Sequence, residues 1–358
     1  MKRVLKLLCY IHIPYCDSKC HYCSFNSFVD KFDTRVDYMD ALHTHLSFEL
    51  KRFHATKQSI ETLFIGGGTP STIAPTLYKP IFELLAPYLK IDAEITTEAN
   101  PNSASKEWIE GMRALGVNRI SFGVQSFDST KLKALNRSHS PIQAIDAISY
   151  AYSIGFEHLS LDIIYNFQGD TKALLESDIN QAFALPIDHI SAYELTIEES
   201  TPFAKTPEVR QENESLALFV ANSIEKRGFT QYEISNFGTY QSRHNQGYWR
   251  LKNYIGAGAG AVGFLEDTRF YPTTNIDTFI QNPLTITQEK LTPNELLTEK
   301  IFLGLRSTIG IAKESLPKEI QESCNFLVQE EKLFFENNFY YNKNFFLADE
   351  IALFILKE

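Results

Sequence analysis

The stretch Tyr10-Ile-His-Ile-Pro-Tyr-Cys16-Asp-Ser-Lys-Cys20-His-Tyr-Cys23 joins a strand-like apolar run to three closely spaced cysteines. Three thiolates on one tight loop can hold three irons of a four-iron cluster, which leaves the fourth iron open to another ligand. A structural zinc site normally has four closed ligands, whereas the remaining cysteines, Cys9 and Cys324, are isolated. The C-x3-C-x2-C spacing therefore favours a cluster on Cys16, Cys20 and Cys23, with zinc as the alternative.

Length and composition describe an ordinary globular protein with room for one large and one smaller domain. The chain has 358 residues, of which 44% are apolar and 22% charged. Its net charge of -10 argues against a nucleic-acid partner, which a basic surface would attract. No run of eighteen apolar residues occurs, and Lys6 interrupts the apolar start, so residues 1–9 are interpreted as a first strand rather than a secretory signal. Clustered rather than paired cysteines favour a reducing compartment, and we expect a cytoplasmic protein.

Short apolar runs alternate with amphipathic stretches through the first two-thirds of the chain. Six strands alternating with helices predict a parallel sheet, and polar residues just after each strand are typical of barrels. Six units rather than eight predict an incomplete (β/α)6 barrel of the TIM-like kind, with an open doubly wound sheet as the alternative. The predicted strands are Leu7–Ile13 and residues 62–65, 95–98, 119–122, 159–164 and 189–193.

The character of the sequence changes near residue 235, which predicts domains at 1–235 and 236–358. Thr292 and Glu295 form a capping-box pattern for a helix running to about residue 306. Aromatic runs at 333–335, 339–341 and 345–347, separated by asparagines, predict a small antiparallel meander, so this α+β domain is similar to a winged helix. Residues 292–358 hold eleven acidic and seven basic side chains, which favours a structural or protein-docking role over DNA binding.

Polar clusters follow the predicted strands. Each has an ordinary interpretation as a cap, a turn or an ion pair, but together they predict a ring of ligand-binding groups around one mouth of the barrel. A carboxylate within an apolar run, such as Asp162, must be paired or ligand-bound if it is buried. The clusters are Gly66-Gly-Gly-Thr69-Pro70, Glu98-Ala-Asn-Pro101, Gly123-Val-Gln125-Ser-Phe127, Asn136-Arg137 and Asp162.

These motifs, in this order, resemble the radical S-adenosylmethionine group that contains oxygen-independent coproporphyrinogen III oxidase and the HemW-like haem chaperones. The resemblance runs from Tyr10 to about Gly263. It implies a radical S-adenosylmethionine barrel with a 4Fe-4S cluster, whose unique iron binds S-adenosylmethionine so that one electron can release a 5'-deoxyadenosyl radical. By resemblance, the cofactor-lining positions are Tyr10, Tyr22, Gly67, Gly68, Thr69, Glu98, Gln125, Arg137 and Asp162.

Two features separate the members of this group. The oxidase has a fourth cysteine two residues after the third, where this chain has Phe25. The HemW-like proteins show a motif that stands here as His244-Asn245-Gln-Gly-Tyr248-Trp249. The resemblance implies haem binding at these four named residues, because imidazole is a good axial ligand for haem iron and aromatic rings can flank a porphyrin. A hydrogen-bonded core histidine with packed aromatics is the alternative.

The function that the resemblance implies is haem acquisition and delivery to a haem-requiring target protein, with a flavodoxin- or ferredoxin-type electron donor. The alternative is a coproporphyrinogen III oxidase, which decarboxylates propionates in porphyrin metabolism. Turnover and peripheral membrane contact stay open. Gly258-Ala-Gly260-Ala-Val-Gly263 also fits a dinucleotide fingerprint, but it lacks the strand–turn–helix context, so we expect close backbone packing there.

Overall fold

The computed structural model describes residues 5–357, so residues 1–4 of the predicted first strand lie outside its range. All six predicted strands are present, each paired in parallel with the next along the chain. The prediction was accurate because apolar runs bounded by polar residues mark buried parallel strands. The strands are β1 (Leu7–Ile13), β2 (Ile60–Gly67), β3 (Leu89–Ala99), β4 (Arg119–Gln125), β5 (His158–Tyr165) and β6 (His189–Glu194).

Helices connect these strands and cover one side of the sheet, where their apolar faces join the strands in one large hydrophobic core. Local caps fix several helix starts. Ser140, for example, accepts from the Gln143 amide in a capping box. The helices are α1 (Arg35–Arg52), α2 (Pro75–Leu85), α3 (Lys106–Ala114), α4 (Ser129–Ala134), α5 (Pro141–Ser153), α6 (Lys172–Phe183) and α7 (Glu214–Glu225).

The sheet continues beyond both ends of this parallel unit to a total of twelve strands. One added strand lies parallel beside β1, and another lies antiparallel beside β6. The outermost strands do not pair with each other within the described residues, so the barrel is incomplete, as predicted. The added elements are β7 (Thr230–Gln231), β8 (Asn236–Gly238), α8 (Arg243–Trp249), β9 (Tyr254–Ala257), β10 (Gly263–Leu265), β11 (Thr268–Pro272), α9 (Ile276–Gln281) and β12 (Ile286–Lys290).

The last part of the chain forms a small α+β module with its own hydrophobic core, which includes Ile301, Leu327 and Tyr340. The large sheet thus continues past residue 235, and the second core begins at Ile301. The predicted domain boundary at 235/236 stays a prediction. The module contains α10 (Pro293–Leu305), β13 (Ile311–Ala312), α11 (Lys318–Gln329), β14 (Leu333–Glu336), β15 (Phe339–Asn342) and α12 (Ala348–Leu356).

Two of the three predicted meander strands exist, joined by Asn337 and Asn338 with positive φ angles of 48° and 67°. The third prediction was wrong, because Phe345–Leu347 is a 3-10 helix. The Asn344 side chain accepts from the Phe346 amide, which starts a turn instead of a strand. The remaining 3-10 helices are Phe32–Thr34, Pro70–Thr72, Pro202–Lys205, Pro207–Val209 and Lys313–Ser315. None of the helices in residues 5–357 is both long and apolar enough to cross a membrane.

The predicted capping box of α10 offers a test of the module. Thr292 accepts from the Glu295 amide at 3.3 Å, and Glu295 accepts from the Thr292 amide at 2.7 Å. We expect Thr292→Ala to lower the free energy of unfolding by about 1 kcal/mol, because one helix-end amide loses its acceptor. Chemical denaturation followed by circular dichroism measures the change. Thr292→Ser keeps the hydroxyl and is the control, so an equal loss in both variants would contradict the capping role.

Candidate functional site

A cavity of about 860 Å³ opens at the carboxyl ends of β1–β6 and extends to α8 and the C-terminal module. One end is formed by the loop after β1, which carries the three cysteines. The ends of the next strands form its walls, and Trp249 of α8 and Arg306 of the module lie along it. Carboxyl ends of parallel strands meet at one edge of a sheet, which explains why residues distant in sequence converge here.

Hydrogen bonds hold the cysteine loop against the barrel. Thr69 Oγ1 donates to Cys16 Sγ at 3.4 Å, and Arg137 Nη1 donates to Cys20 Sγ at 3.2 Å. Within the loop, Lys19 Nζ donates to the Phe25 carbonyl at 2.6 Å. Donors aimed at sulfur stabilise a thiolate, which is the form of cysteine that binds iron.

All three cysteines line the same cavity, as the cluster prediction requires. In the described part of the chain, no three His, Cys, Asp or Glu side chains converge on the position of a single metal ion. That finding does not conflict with a four-iron cluster, in which each thiolate binds a different iron. Two features fit the chemistry of such a cluster: hydrogen-bond donors reach Cys16 and Cys20, and all three cysteines border open space.

Glycines bring the loop after β2 close to β1. Gly67 has φ +112°, a conformation that side chains rarely adopt, and its amide donates to Glu98 Oε2 at 3.0 Å. A Cβ on Gly68 would lie 2.8 Å from the Ile13 carbonyl oxygen, so only glycine permits this approach. The loop therefore presents backbone groups and Thr69 to the cavity beside the cysteines.

Arg137 joins the cysteine loop to two strand ends. Its Nη2 donates to the Gly123 carbonyl at 2.6 Å and also to Asn100 Oδ1. Gln125, at the end of β4, has a positive φ of 66° and lines the cavity. Such a conformation in a non-glycine residue costs energy and often marks a functional position.

Three carboxyl groups along the cavity share a raised pKa. Burial raises the pKa of Glu98 to about 7, with a further contribution from the Asp162 charge, whereas the Gly67 amide opposes the shift. Burial likewise raises the pKa of Asp162 to about 6 and that of Glu233 to about 7. Ser121 Oγ donates to Asp162 Oδ1 at 3.3 Å. A cationic ligand bound in the cavity would favour the ionised forms of these groups.

Most of the predicted S-adenosylmethionine positions line the cavity, but one does not. Tyr10 is half-buried on β1, and its hydroxyl lies 3.0 Å from His12 Nδ1 instead. Its assignment to the cofactor stays a prediction without support from its position. The positions that do line the cavity are Tyr22, Gly67, Gly68, Thr69, Glu98, Gln125, Arg137 and Asp162.

The four residues predicted to bind haem lie on two faces of α8. Asn245, Tyr248 and Trp249 line the cavity, whereas His244 is 1% exposed and turns toward β2. Its Nδ1 lies 2.7 Å from Thr62 Oγ1, and burial lowers its pKa to about 3. Packing against β2 separates the His244 imidazole from the cavity, so its assignment to haem stays a prediction without support from its position.

Glu94 is a residue that the sequence analysis missed. It is 2% exposed on β3, and its carboxylate accepts from the Arg243 and His244 amides, each at 2.8 Å, and from the Tyr240 hydroxyl at 2.7 Å. These contacts fix the start of α8 and hence the direction of its cavity face. Strand periodicity could have found it, because positions 94 and 98 share one face of β3.

The fold and the three-cysteine loop are those of a radical S-adenosylmethionine protein. A model of the Radical SAM superfamily matches residues 10–182. The structure of coproporphyrinogen III oxidase (HemN) from Escherichia coli, a radical SAM enzyme, superimposes with a TM-score of 0.81 at 18% identity. The superposition covers 99% of this chain and 91% of the HemN chain. The likeness shows a common fold, and superfamily membership implies S-adenosylmethionine and a 4Fe-4S cluster.

Comparison with curated sequences identifies the family within this superfamily. The heme chaperone HemW of Bacillus subtilis is 33% identical over 89% of this chain and 88% of its own length. The heme chaperone HemW of Escherichia coli is 37% identical over 74% of this chain and 71% of its own length. The chain belongs to the HemW family.

Gly67 allows a test of the loop beside the cysteines. We expect Gly67→Ala to lower the free energy of unfolding by more than about 3 kcal/mol, because positive φ alone costs about 1–3 kcal/mol. A Cβ there would also strike the His12 ring. Gly116→Ala is the matched control, since Gly116 has φ +101° but nothing within 4 Å of the added Cβ. Chemical denaturation compares the two, and equal losses would show that the His12 contact is unimportant.

Proposed function

We propose that the chain is a haem chaperone that binds haem in this cavity and transfers it to a haem-requiring protein. One observation carries the proposal: a single cavity connects the three-cysteine loop to the face of α8 formed by Asn245, Tyr248 and Trp249. The relatives from Bacillus subtilis and Escherichia coli are named heme chaperones. A continuous cavity allows the cofactor site and the cargo site to influence each other.

The chain's residues fit separate parts of the cofactor site. Cys16, Cys20 and Cys23 would hold three irons of the cluster, while the Gly67–Thr69 segment and Glu98 would hold S-adenosylmethionine at the strand ends. Carboxylates attract the positive charges of S-adenosylmethionine. When bound, the cluster and S-adenosylmethionine together supply one-electron chemistry. Arg137 keeps the Cys20 end of the loop fixed through its contacts with Gly123 and Asn100.

The α8 face supplies the surface for the cargo. Tyr248 and Trp249 offer aromatic area to an apolar porphyrin plane, and Asn245 adds a hydrogen-bonding amide. His244 lies behind this face, on the side of α8 that packs on β2, and its ring contacts Tyr248 edge-on at a centroid separation of 4.7 Å. Its role in the proposal is to position Tyr248, while Thr62 holds the imidazole.

The proposal includes protein partners. A haem-requiring protein receives the cargo, and a flavodoxin- or ferredoxin-type protein supplies electrons in the cytoplasm. Phe25 stands where the oxidase group has a fourth cysteine; it is 66% exposed and borders the cavity. An exposed aromatic at such an opening is suited to contact with another protein.

A haem titration tests the proposal. We expect anaerobically cluster-reconstituted protein to bind one haem saturably, and Trp249→Ala to weaken binding by about 30-fold, because a buried aromatic anchor contributes roughly 2 kcal/mol. Visible absorbance measures the affinity. Tyr152→Ala removes an exposed aromatic on α5 and is the control.

A different outcome would favour the oxidase. If the wild-type protein showed no saturable haem binding but formed protoporphyrinogen from coproporphyrinogen III in an anaerobic assay, the chaperone proposal would be wrong. The Tyr248–Trp249 face would then be a packing surface. Unchanged haem affinity in Trp249→Ala would remove α8 from the cargo site while leaving haem binding itself intact.

The raised pKa of Glu98 predicts a pH dependence for S-adenosylmethionine binding. With a pKa of about 7, this carboxyl gains its negative charge as the pH rises from 6 to 8. A cationic ligand favours the charged form, so we expect its affinity to rise roughly tenfold over this range. Glu98→Gln should flatten most of the rise. Glu83→Gln is the control and should retain it, because the Glu83 side chain on α2 is exposed. Calorimetric titrations at pH 6, 7 and 8 measure the effect; an unchanged profile in Glu98→Gln would assign the titration to another group.

A further inference from the structure

We propose that Arg306 and Trp249 form a carboxylate-binding subsite that holds a propionate of the haem cargo. The subsite lies in the part of the cavity formed by α8 and the C-terminal module. The inference rests on the proposed function, because it names the part of the cargo that the module recognises. Arg306 lies outside the cysteine loop and outside the motifs that carry the family resemblance.

Backbone pairing places Arg306 in the cavity wall. The residue follows α10, and its carbonyl accepts from the Ile234 amide at 2.9 Å. Two residues later, the Thr308 amide donates to the Tyr232 carbonyl at 2.9 Å. The helices α10 and α8 are in contact, so Arg306 and Trp249 approach one cavity from neighbouring elements.

Outside the cysteine-loop contacts, three buried polar atoms of cavity-lining residues have no hydrogen-bond partner among residues 5–357. They are Arg306 Nε, Trp249 Nε1 and Asn236 Oδ1, and all three residues line the cavity. Asn236 is 3% exposed. A buried polar atom without a partner costs free energy, so such atoms call for an explanation. Two of the three are N–H donors, and a ligand that accepts hydrogen bonds would satisfy both.

Charge defines the class of that ligand. The cavity lining includes only three cationic side chains within the described residues: Lys19, Arg137 and Arg306. Lys19 donates to the Phe25 carbonyl and to Ser27, and Arg137 is bound to Cys20 and Gly123. Among the described residues, Arg306 is therefore the one cationic side chain of the lining that neither belongs to the cysteine loop nor is bonded to it. A guanidinium and an indole N–H that line the same cavity favour an anionic, planar acceptor such as a carboxylate.

Carboxyl groups in the lining determine where in the cavity an anion can bind. Burial raises the pKa of Glu233 to about 7, although the Arg306 charge opposes the shift. Glu233 is the competing anion near Arg306, and Asp349 lies in the same lining. Glu98 and Asp162 repel an anionic cargo from the cysteine-loop end of the cavity, whereas Arg306 attracts it at the other end, which orients the cargo. The orientation suits haem, whose apolar plane can contact Trp249 while a propionate reaches the guanidinium.

A comparison of haem with its dimethyl ester tests the subsite, because esterification removes both carboxylates and retains the porphyrin plane. We expect the wild type to bind haem about 10- to 100-fold more tightly than the ester, the range for a charge-assisted hydrogen bond. Arg306→Gln should lose most of this preference by weakening haem binding alone. Arg306→Lys should retain part of it, and Glu233→Gln should tighten haem binding.

Arg250→Gln is the matched control. Arg250 adjoins Trp249 but is exposed and bonds to Gln246, so its loss should leave the preference unchanged. Thermal unfolding and iron content verify that each variant is folded and cluster-loaded. Equal weakening of haem and ester in Arg306→Gln, or an unchanged preference, would overturn the subsite while leaving the chaperone proposal intact. Absence of saturable haem binding in the wild type would overturn both.

Discussion

The site depends on the hydrogen bonds of Arg137. This guanidinium reaches Cys20 Sγ at 3.2 Å and the Gly123 carbonyl at 2.6 Å, and it also contacts Asn100. A loop of three cysteines has no regular secondary structure to fix it, so its position relative to the strand ends must come from such contacts. Arginine suits the task because its planar fork donates in several directions and its charge favours thiolate over thiol. The loop therefore keeps a fixed position against β3 and β4.

A second constraint links the glycine loop after β2 to α8 through β3. Glu98 and Glu94 lie on one face of that strand, because side chains alternate across it. Glu98 accepts from Gly67 in the loop after β2, whereas Glu94 accepts from the first amides of α8. One strand thus positions both the glycine loop and the α8 face. A shift in β3 would move both together, which is a physical route for coupling between the two sites.

The sequence predicted those parts of the fold that depend on local patterns. Apolar runs identified the six parallel strands, and the Thr292 capping box located α10. Gly258 packs closely, as expected, since a Cβ there would lie 2.7 Å from the His12 carbonyl oxygen. The prediction failed where a side chain competes with backbone pairing, as Asn344 does at the start of Phe345–Leu347. Periodicity also could not show that His244 faces β2 while Tyr248 and Trp249 face the cavity, because short helices expose several faces.

Non-local pairing explains why the cargo end was beyond prediction. Arg306 reaches the cavity because its carbonyl pairs with Ile234, more than seventy positions earlier in the chain, and no local motif encodes that contact. The same pairing holds the C-terminal module beside Glu233 and Asn236, which line the cavity. The module therefore forms part of the cavity wall rather than a separate appendage. The barrel supplies the cysteines, and α8 supplies the aromatic face. A cargo that contacts Arg306 would therefore be held by the barrel, α8 and the module together. The backbone bonds from Ile234 to Arg306 and from Thr308 to Tyr232 link the guanidinium to the barrel, so a change in this pairing would alter the hold on such a cargo.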